Sequence, residues 1–256
     1  MNFLKKYLFF NLLSIYIYIT ESFNISGINY NIRIGPDWEL NKCKSYDRVE
    51  KELITIKNIT NNIKIFSLTD CNQSQIILDI AKKINLKIWL GIWISNDTHI
   101  FEKEKNELIQ LIKSNSINSD LISGINVGSE SIFRNDITLD ENINYMIIIK
   151  NILKNNNIKL PISIIEIINI YYESPKLINA VDMIMFNQFP FWENITIEDS
   201  IEQFNKKLNK VQKLNIEKKK IIVGETGWAS NGINDNTSLA NSINHAKYFL
   251  DFYNYA

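Results

Sequence analysis

Beyond residue 26, short apolar runs alternate with longer stretches in which apolar residues recur every three or four positions. The short runs, at 28–32, 63–67, 87–94, 121–127, 160–164, 181–187 and 220–225, are predicted as strands. Between them, Tyr46, Val49, Leu53 and Ile56 step at helical spacing. So do Ile76, Ile77, Ile80, Ala81 and Ile84, and then Ile201, Phe204, Leu208 and Val211. Each set lays one apolar stripe along a helix that faces a sheet. Leu239, Ile243, Ala246, Leu250 and Tyr253 predict a last helix on the same grounds.

Strand–helix alternation of this kind predicts an α/β protein with a parallel sheet covered by helices. No Gly-rich loop follows the first strand, so the signature of a nucleotide-binding doubly wound fold is missing. No linker divides the chain. The expected architecture is a single TIM-type (β/α)8 barrel over residues 23–256, lacking its eighth strand–helix unit before Ala256. Strands seven and one are then expected to face each other across a gap, which would weaken the fold and admit water. Truncation of a longer product is the simplest account of that shortfall.

Composition modifies this picture in three places. The 256 residues include 49 Ile and 36 Asn, a skew that inflates every strand propensity and makes spacing the better guide. The 28 basic and 28 acidic side chains cancel, which argues against a nucleic-acid binder working through a basic face. Residues 1–22 stand apart: Lys5 and Lys6 precede an apolar run at 7–19, followed by Thr20 and Ser22. This is the pattern of a secretory signal peptide, too short for a comfortable membrane span. The expected location is therefore secreted, extracellular or in the cell wall, with no membrane attachment once the leader is removed.

In an oxidising compartment Cys43 and Cys71 are expected to be bridged rather than free, and two cysteines without a histidine cluster do not make a zinc site. Sequons at Asn24, Asn58, Asn72, Asn96, Asn194 and Asn236 are acceptors for glycosylation, though an Asn-rich chain produces several by chance.

Barrel chemistry sits at the C-terminal ends of the strands. The fourth strand run ends at Glu130 and the seventh at Glu225, which is followed by Thr226, Gly227 and Trp228. Alone, Glu130 reads equally well as a helix N-terminal acid. Two carboxylates ending apolar strands across one mouth point instead to a general acid and a nucleophile for glycoside hydrolysis. Trp93, Phe133, Phe189, Phe191 and Trp192 lie just past strand ends and could face pyranose rings, or pack in the core. Asn187 and Gln188 could bond sugar hydroxyls. His99 and His245 accompany no Ser or Cys nucleophile pattern.

Val127-Gly-Ser-Glu130-Ser-Ile-Phe-Arg134-Asn-Asp136 resembles the acid/base motif of the fungal branch of glycoside hydrolase family 17. Gly224-Glu225-Thr-Gly-Trp228 resembles that family's nucleophile motif. Cys43-Lys-Ser45, Thr69-Asp-Cys71-Asn-Gln73, Leu90-Gly-Ile-Trp-Ile94 and Phe186-Asn-Gln-Phe-Pro-Phe-Trp192 match in the same order. The resemblance implies a (β/α)8 barrel acting on β-1,3-glucan by hydrolysis or transfer, without metal or organic cofactor. It implies Glu130 as acid/base and Glu225 as nucleophile, with Tyr30 and Asn187 at the sugar site; Trp93, Ser129, Phe189, Trp192 and Trp228, near the same strand ends, complete the expected substrate-binding set.

Three departures stand out. Lys64-Ile-Phe66 replaces the family's Arg-x-Tyr, and lysine cannot reproduce a bidentate guanidinium. The fifth strand lacks the usual Thr, Asp and Trp and offers Glu166 in place of the Asp. The third departure is the eighth unit. A non-catalytic glucan-binding wall protein is the alternative reading, and a structural secreted glycoprotein a weaker third.

Overall fold

The computed structural model describes residues 25–35, 42–117, 120–232 and 237–256. The expected leader and the sequons at Asn24 and Asn236 lie outside them. Strands β1 (Ile28–Asn29), β2 (Asn62–Lys64), β3 (Lys87–Ile92), β4 (Ile122–Ser129), β5 (Ile162–Ile167), β6 (Ile184–Asn187) and β7 (Ile221–Glu225) form one sheet in sequence order. Every neighbouring pair is parallel. β4 is buried along nearly its whole length, as a strand covered on both faces must be. Gly124 is dictated by that packing: a Cβ there would lie 2.0 Å from the Trp89 ring.

Helices α1 (Tyr46–Lys57), α2 (Gln73–Ile84), α3 (Thr98–Lys113), α4 (Leu139–Asn155), α5 (Ile168–Glu173), α6 (Pro175–Ala180), α7 (Ser200–Leu214) and α8 (Ser242–Tyr255) follow the strands. Val49 and Leu53 of α1, and Ile77, Ile80 and Ala81 of α2, are fully buried against the sheet, as their spacing predicts. Local signals fix the starts. Ser45 accepts the Arg48 N–H at the head of α1, and Thr138 with Glu141 forms a capping box on α4.

The sheet curls into a nearly closed barrel, seven strands of the TIM type. At its open side the Asn29 side-chain amide on β1 donates to the Gly224 carbonyl on β7 at 3.1 Å. A slot of about 1770 Å³ runs between these edges, lined among others by Asn62, Lys64, Ile222, Glu225, Trp228 and Tyr248. All five residues of β7 are in consequence only half-buried.

Some elements depart from the expected ones. The fifth strand starts at Ile162 rather than 160, because Pro161 has no N–H to donate to a ladder. The sixth is cut back to 184, since Val181 caps α6. The apolar stripe of the last helix faces outward, with Ile243 77% and Leu250 55% exposed. The buried contact of α8 is made by Tyr248 and by Phe252, whose ring meets Phe204 of α7 at 5.1 Å.

Cys43 and Cys71 are joined, with Cα atoms 5.6 Å apart. They tie the segment before α1 to the turn after β2, where Cys71 and Asn72 both take φ of 52°. Arg33 grips the same turn through both oxygens of Asp70, at 2.8 and 2.7 Å. From α3, the buried Glu104 accepts from the Leu68 N–H and from the Ser67 and Thr69 hydroxyls. The bridge spans 28 residues, so closing that loop in the unfolded chain contributes ~3–4 kcal/mol in the chain-entropy model. Replacing both cysteines by serine is expected to lower the melting temperature by roughly 6–16 °C, read by calorimetry. An unchanged melt would show that the turn is held without the bridge.

Candidate active site

β4 ends in a turn that places Glu130 at φ 55°, a left-handed conformation a glutamate adopts only where its surroundings impose it. The Glu130 N–H donates to the Ile165 carbonyl of β5 at 2.8 Å, and its own carbonyl accepts the Arg134 N–H at 2.9 Å. Arg134 also donates to the carbonyls of Ser129 and Ile94 and to Asp136, so one guanidinium joins the ends of β3 and β4. Its Cζ lies 4.7 Å from the centre of the Trp93 ring, a cation–π contact that fixes the indole at the rim. Ser129 itself is buried.

Glu225 closes β7. Its Oε1 accepts the Lys64 ammonium of β2 at 2.9 Å, a bond across the open side of the barrel. Lys64 is buried, and burial pushes its ammonium below the usual lysine range, while Glu225 and more distantly Glu130 pull it back up. The ammonium also sits 4.6 Å from the centre of the Phe66 ring. The Lys-x-Phe departure therefore builds an ion pair of its own, with a point charge where a guanidinium fork was expected.

Asn187 connects the two carboxylates. It pairs with Glu225 across the β6–β7 ladder, and its amide donates to Glu130 Oε1 at 2.8 Å. Gly224 makes room for it, since a Cβ there would lie 2.8 Å from Asn187 Oδ1. That oxygen and both amide atoms of Gln188 are buried and have no hydrogen-bond partner among the described residues.

Phe189 is half-buried beside Gly227, and Trp192 stands 78% exposed, edge-on to Phe191. Tyr30 and Trp228, both expected at the sugar site, have partners of their own. The Tyr30 hydroxyl donates to Glu52 on α1 at 2.8 Å, under the Lys44 ammonium. Trp228 is buried between Phe191 and Tyr248, its indole N–H bonded to the Leu239 carbonyl at 2.9 Å. Lys64 as a partner of Glu225, and Arg134 as a clamp, were not singled out from sequence. A lysine between Ile63 and Ile65 on a buried strand was the available signal for the first. Among the described residues no three His, Cys, Asp or Glu side chains converge as metal ligands, and no helix is long and apolar enough to cross a membrane.

Two glutamates that end strands at the mouth of a parallel barrel are an arrangement that barrel glycoside hydrolases also have. The model of the BtgE/BtgC glycoside hydrolase domain matches residues 27–256, and the chain belongs to that family. It is 30% identical over 214 residues to a probable glucan endo-1,3-beta-glucosidase, btgC, of Aspergillus fumigatus, covering 78% of this chain. The chain spans only about 30% of that relative's length. A glucan 1,3-beta-glucosidase of Saccharomyces cerevisiae is 29% identical over 81% of this chain and 69% of its own. A Rhizomucor miehei beta-1,3-glucanosyltransferase, solved as an active-site mutant in complex with laminaritriose, superposes with a TM-score of 0.79. It is 27% identical, over 91% of this chain and 82% of its own.

Behind Glu130, Glu166 of β5 is fully buried. Burial pushes its carboxyl up to about 7, with the Glu130 charge adding to the rise and the Ile132 and Phe133 amides and Arg134 opposing it. A carboxyl raised on folding binds its proton more tightly in the native state. Its contribution to stability is complete below the ordinary value of 4.5 and is lost as pH rises through about 7. The difference is on the order of 3 kcal/mol. Between pH 5 and pH 8, the wild-type melting temperature should fall more steeply than that of Glu166→Gln. Parallel curves would contradict the burial argument.

Proposed function

We propose that this domain cleaves or transfers β-1,3-glucan by a retaining double displacement, with Glu130 as acid/base and Glu225 as nucleophile. The observation that carries the reading is the link through Asn187, which stands beside Glu225 on the neighbouring strand while its amide holds Glu130. Two carboxylates in one mouth thereby receive different partners: a neutral amide for the acid and an ammonium for the nucleophile.

Glu130 protonates the glycosidic oxygen as Glu225 attacks the anomeric carbon, and the leaving chain departs with that proton. Glu130 then takes a proton from water or from a sugar hydroxyl, whose oxygen displaces Glu225 and frees the product with its configuration retained. Trp93, held by Arg134, and the exposed Trp192 supply flat apolar faces for sugar rings. The unmatched amide atoms of Asn187 and Gln188 supply hydroxyl-directed bonds. The substrate names of the glucan-acting relatives agree with this choice. The lysine pair and apolar run of the leader support action outside the cell or in its wall.

A second reading, glucan binding without turnover, is favoured by the slot beside Glu225, because water there screens the charges the reaction uses. Incubation with laminari-oligosaccharides separates the two. Turnover with the product formed first as the β-anomer, seen by proton NMR, is expected. Glu225→Gln and Glu130→Gln should each abolish it by at least about 10³-fold while the protein still melts cooperatively, Glu225→Gln at a lower temperature because the buried Lys64 loses its partner. Retained activity in Glu225→Gln would remove it as nucleophile, and binding without any turnover would favour the second reading.

A further inference from the structure

Glu166 takes no part in the steps above, yet it lies fully buried near the mouth end of β5. A carboxyl group in such a place is costly unless its oxygens are used. Its Oε1 accepts the Ile132 N–H at 2.7 Å and its Oε2 the Phe133 N–H at 3.3 Å. Both amides belong to the turn that starts with Glu130 in its left-handed conformation. β5 grips that turn twice, through the Ile165 carbonyl on the Glu130 N–H and through the Glu166 carboxyl on the two amides beyond it. Across the β5–β6 ladder Glu166 pairs with Phe186, whose neighbour Asn187 holds the Glu130 carboxyl itself. Backbone and side chain of Glu130 are thus fixed from adjacent positions on two strands.

We propose that Glu166 is a positioning residue for Glu130: by clamping the Ile132 and Phe133 amides it sets the turn that aims the Glu130 carboxyl at the leaving oxygen. This rests on the acid/base role assigned to Glu130 above. A misplaced acid costs most where the leaving group needs a proton and little where it does not. Glu166→Gln keeps one acceptor but turns an N–H donor toward the other amide. Glu166→Asp keeps both acceptors on a shorter stem.

The test compares the wild type with both variants at pH 8, where the Glu166 carboxyl is ionised and both its oxygens accept, on laminaritetraose and on a 2,4-dinitrophenyl laminari-oligoside, whose leaving group departs without protonation. For Glu166→Gln, kcat/KM should fall about 10–100-fold on laminaritetraose and less than about threefold on the activated substrate, with Glu166→Asp between. Equal losses on both substrates would mean general loosening, and no loss on either would mean no role; each overturns the proposal. Should Glu166→Gln lack a cooperative melt, Glu166→Asp carries the same comparison. Failure of both to fold makes Glu166 a stability residue and also overturns it.

A wild type inactive on both substrates contradicts the function proposed above rather than the clamp. Hydrogen exchange then reads the clamp directly. Exchange of the Ile132 and Phe133 amides faster by about tenfold or more in Glu166→Gln supports the proposal, and unchanged exchange overturns it.

Discussion

The ammonium of Lys64, buried and bonded to Glu225, is the contact on which the site's arrangement depends. A buried ion pair gains little net stability, because desolvation offsets most of the attraction. Its effect is geometric and electrostatic. Lys64 is on β2 and Glu225 on β7, so the bond crosses the side where the barrel is open and β7 has no ladder partner beyond β6 in the described sheet. Asn29 on β1 makes a parallel contact to the Gly224 carbonyl, one residue away. Side chains therefore do at the mouth what backbone ladders do elsewhere in the sheet, and they do it at the residue proposed as nucleophile.

Glu130 is held by other means. Its turn is strained at φ 55° and is tied from β3 and β4 by Arg134, from β5 by Ile165 and Glu166, and from β6 by Asn187. From α4, Asn142 bonds both the Val127 carbonyl and the Ser131 hydroxyl, anchoring the strand end on either side. So many constraints on a few residues are what allow an unfavourable backbone conformation to persist. The two glutamates thus have opposite supports, one in a rigid turn and the other on a half-buried edge strand.

Much of this was legible in the sequence where the signal was local. Acids ending apolar strands located Glu130 and Glu225, and helical stepping placed α1 and α2. What escaped depended on distant partners. Lys64 meets Glu225 across 161 residues, and only closure of the sheet makes them neighbours. Trp228 follows Glu225 closely, yet its ring joins Phe191 and Tyr248 in a satellite core that exists only once α8 docks. Tyr30 could have been read from alternation: Asn29 faces the barrel opening, so its neighbour faces the helix layer. The outward stripe of α8 shows the limit of periodicity, which identifies an apolar face without saying what covers it.

The central claim is that Glu225, positioned by Lys64, forms the covalent glycosyl intermediate. A 2-deoxy-2-fluoro laminaribiosyl fluoride, which slows release of that intermediate, tests it most directly by mass spectrometry of peptic fragments. The account predicts one added glycosyl group, on the peptide containing Glu225, and no label in Glu225→Gln. A label on Glu130 or on another carboxylate, or turnover of natural substrate with no trapped intermediate at all, would contradict it.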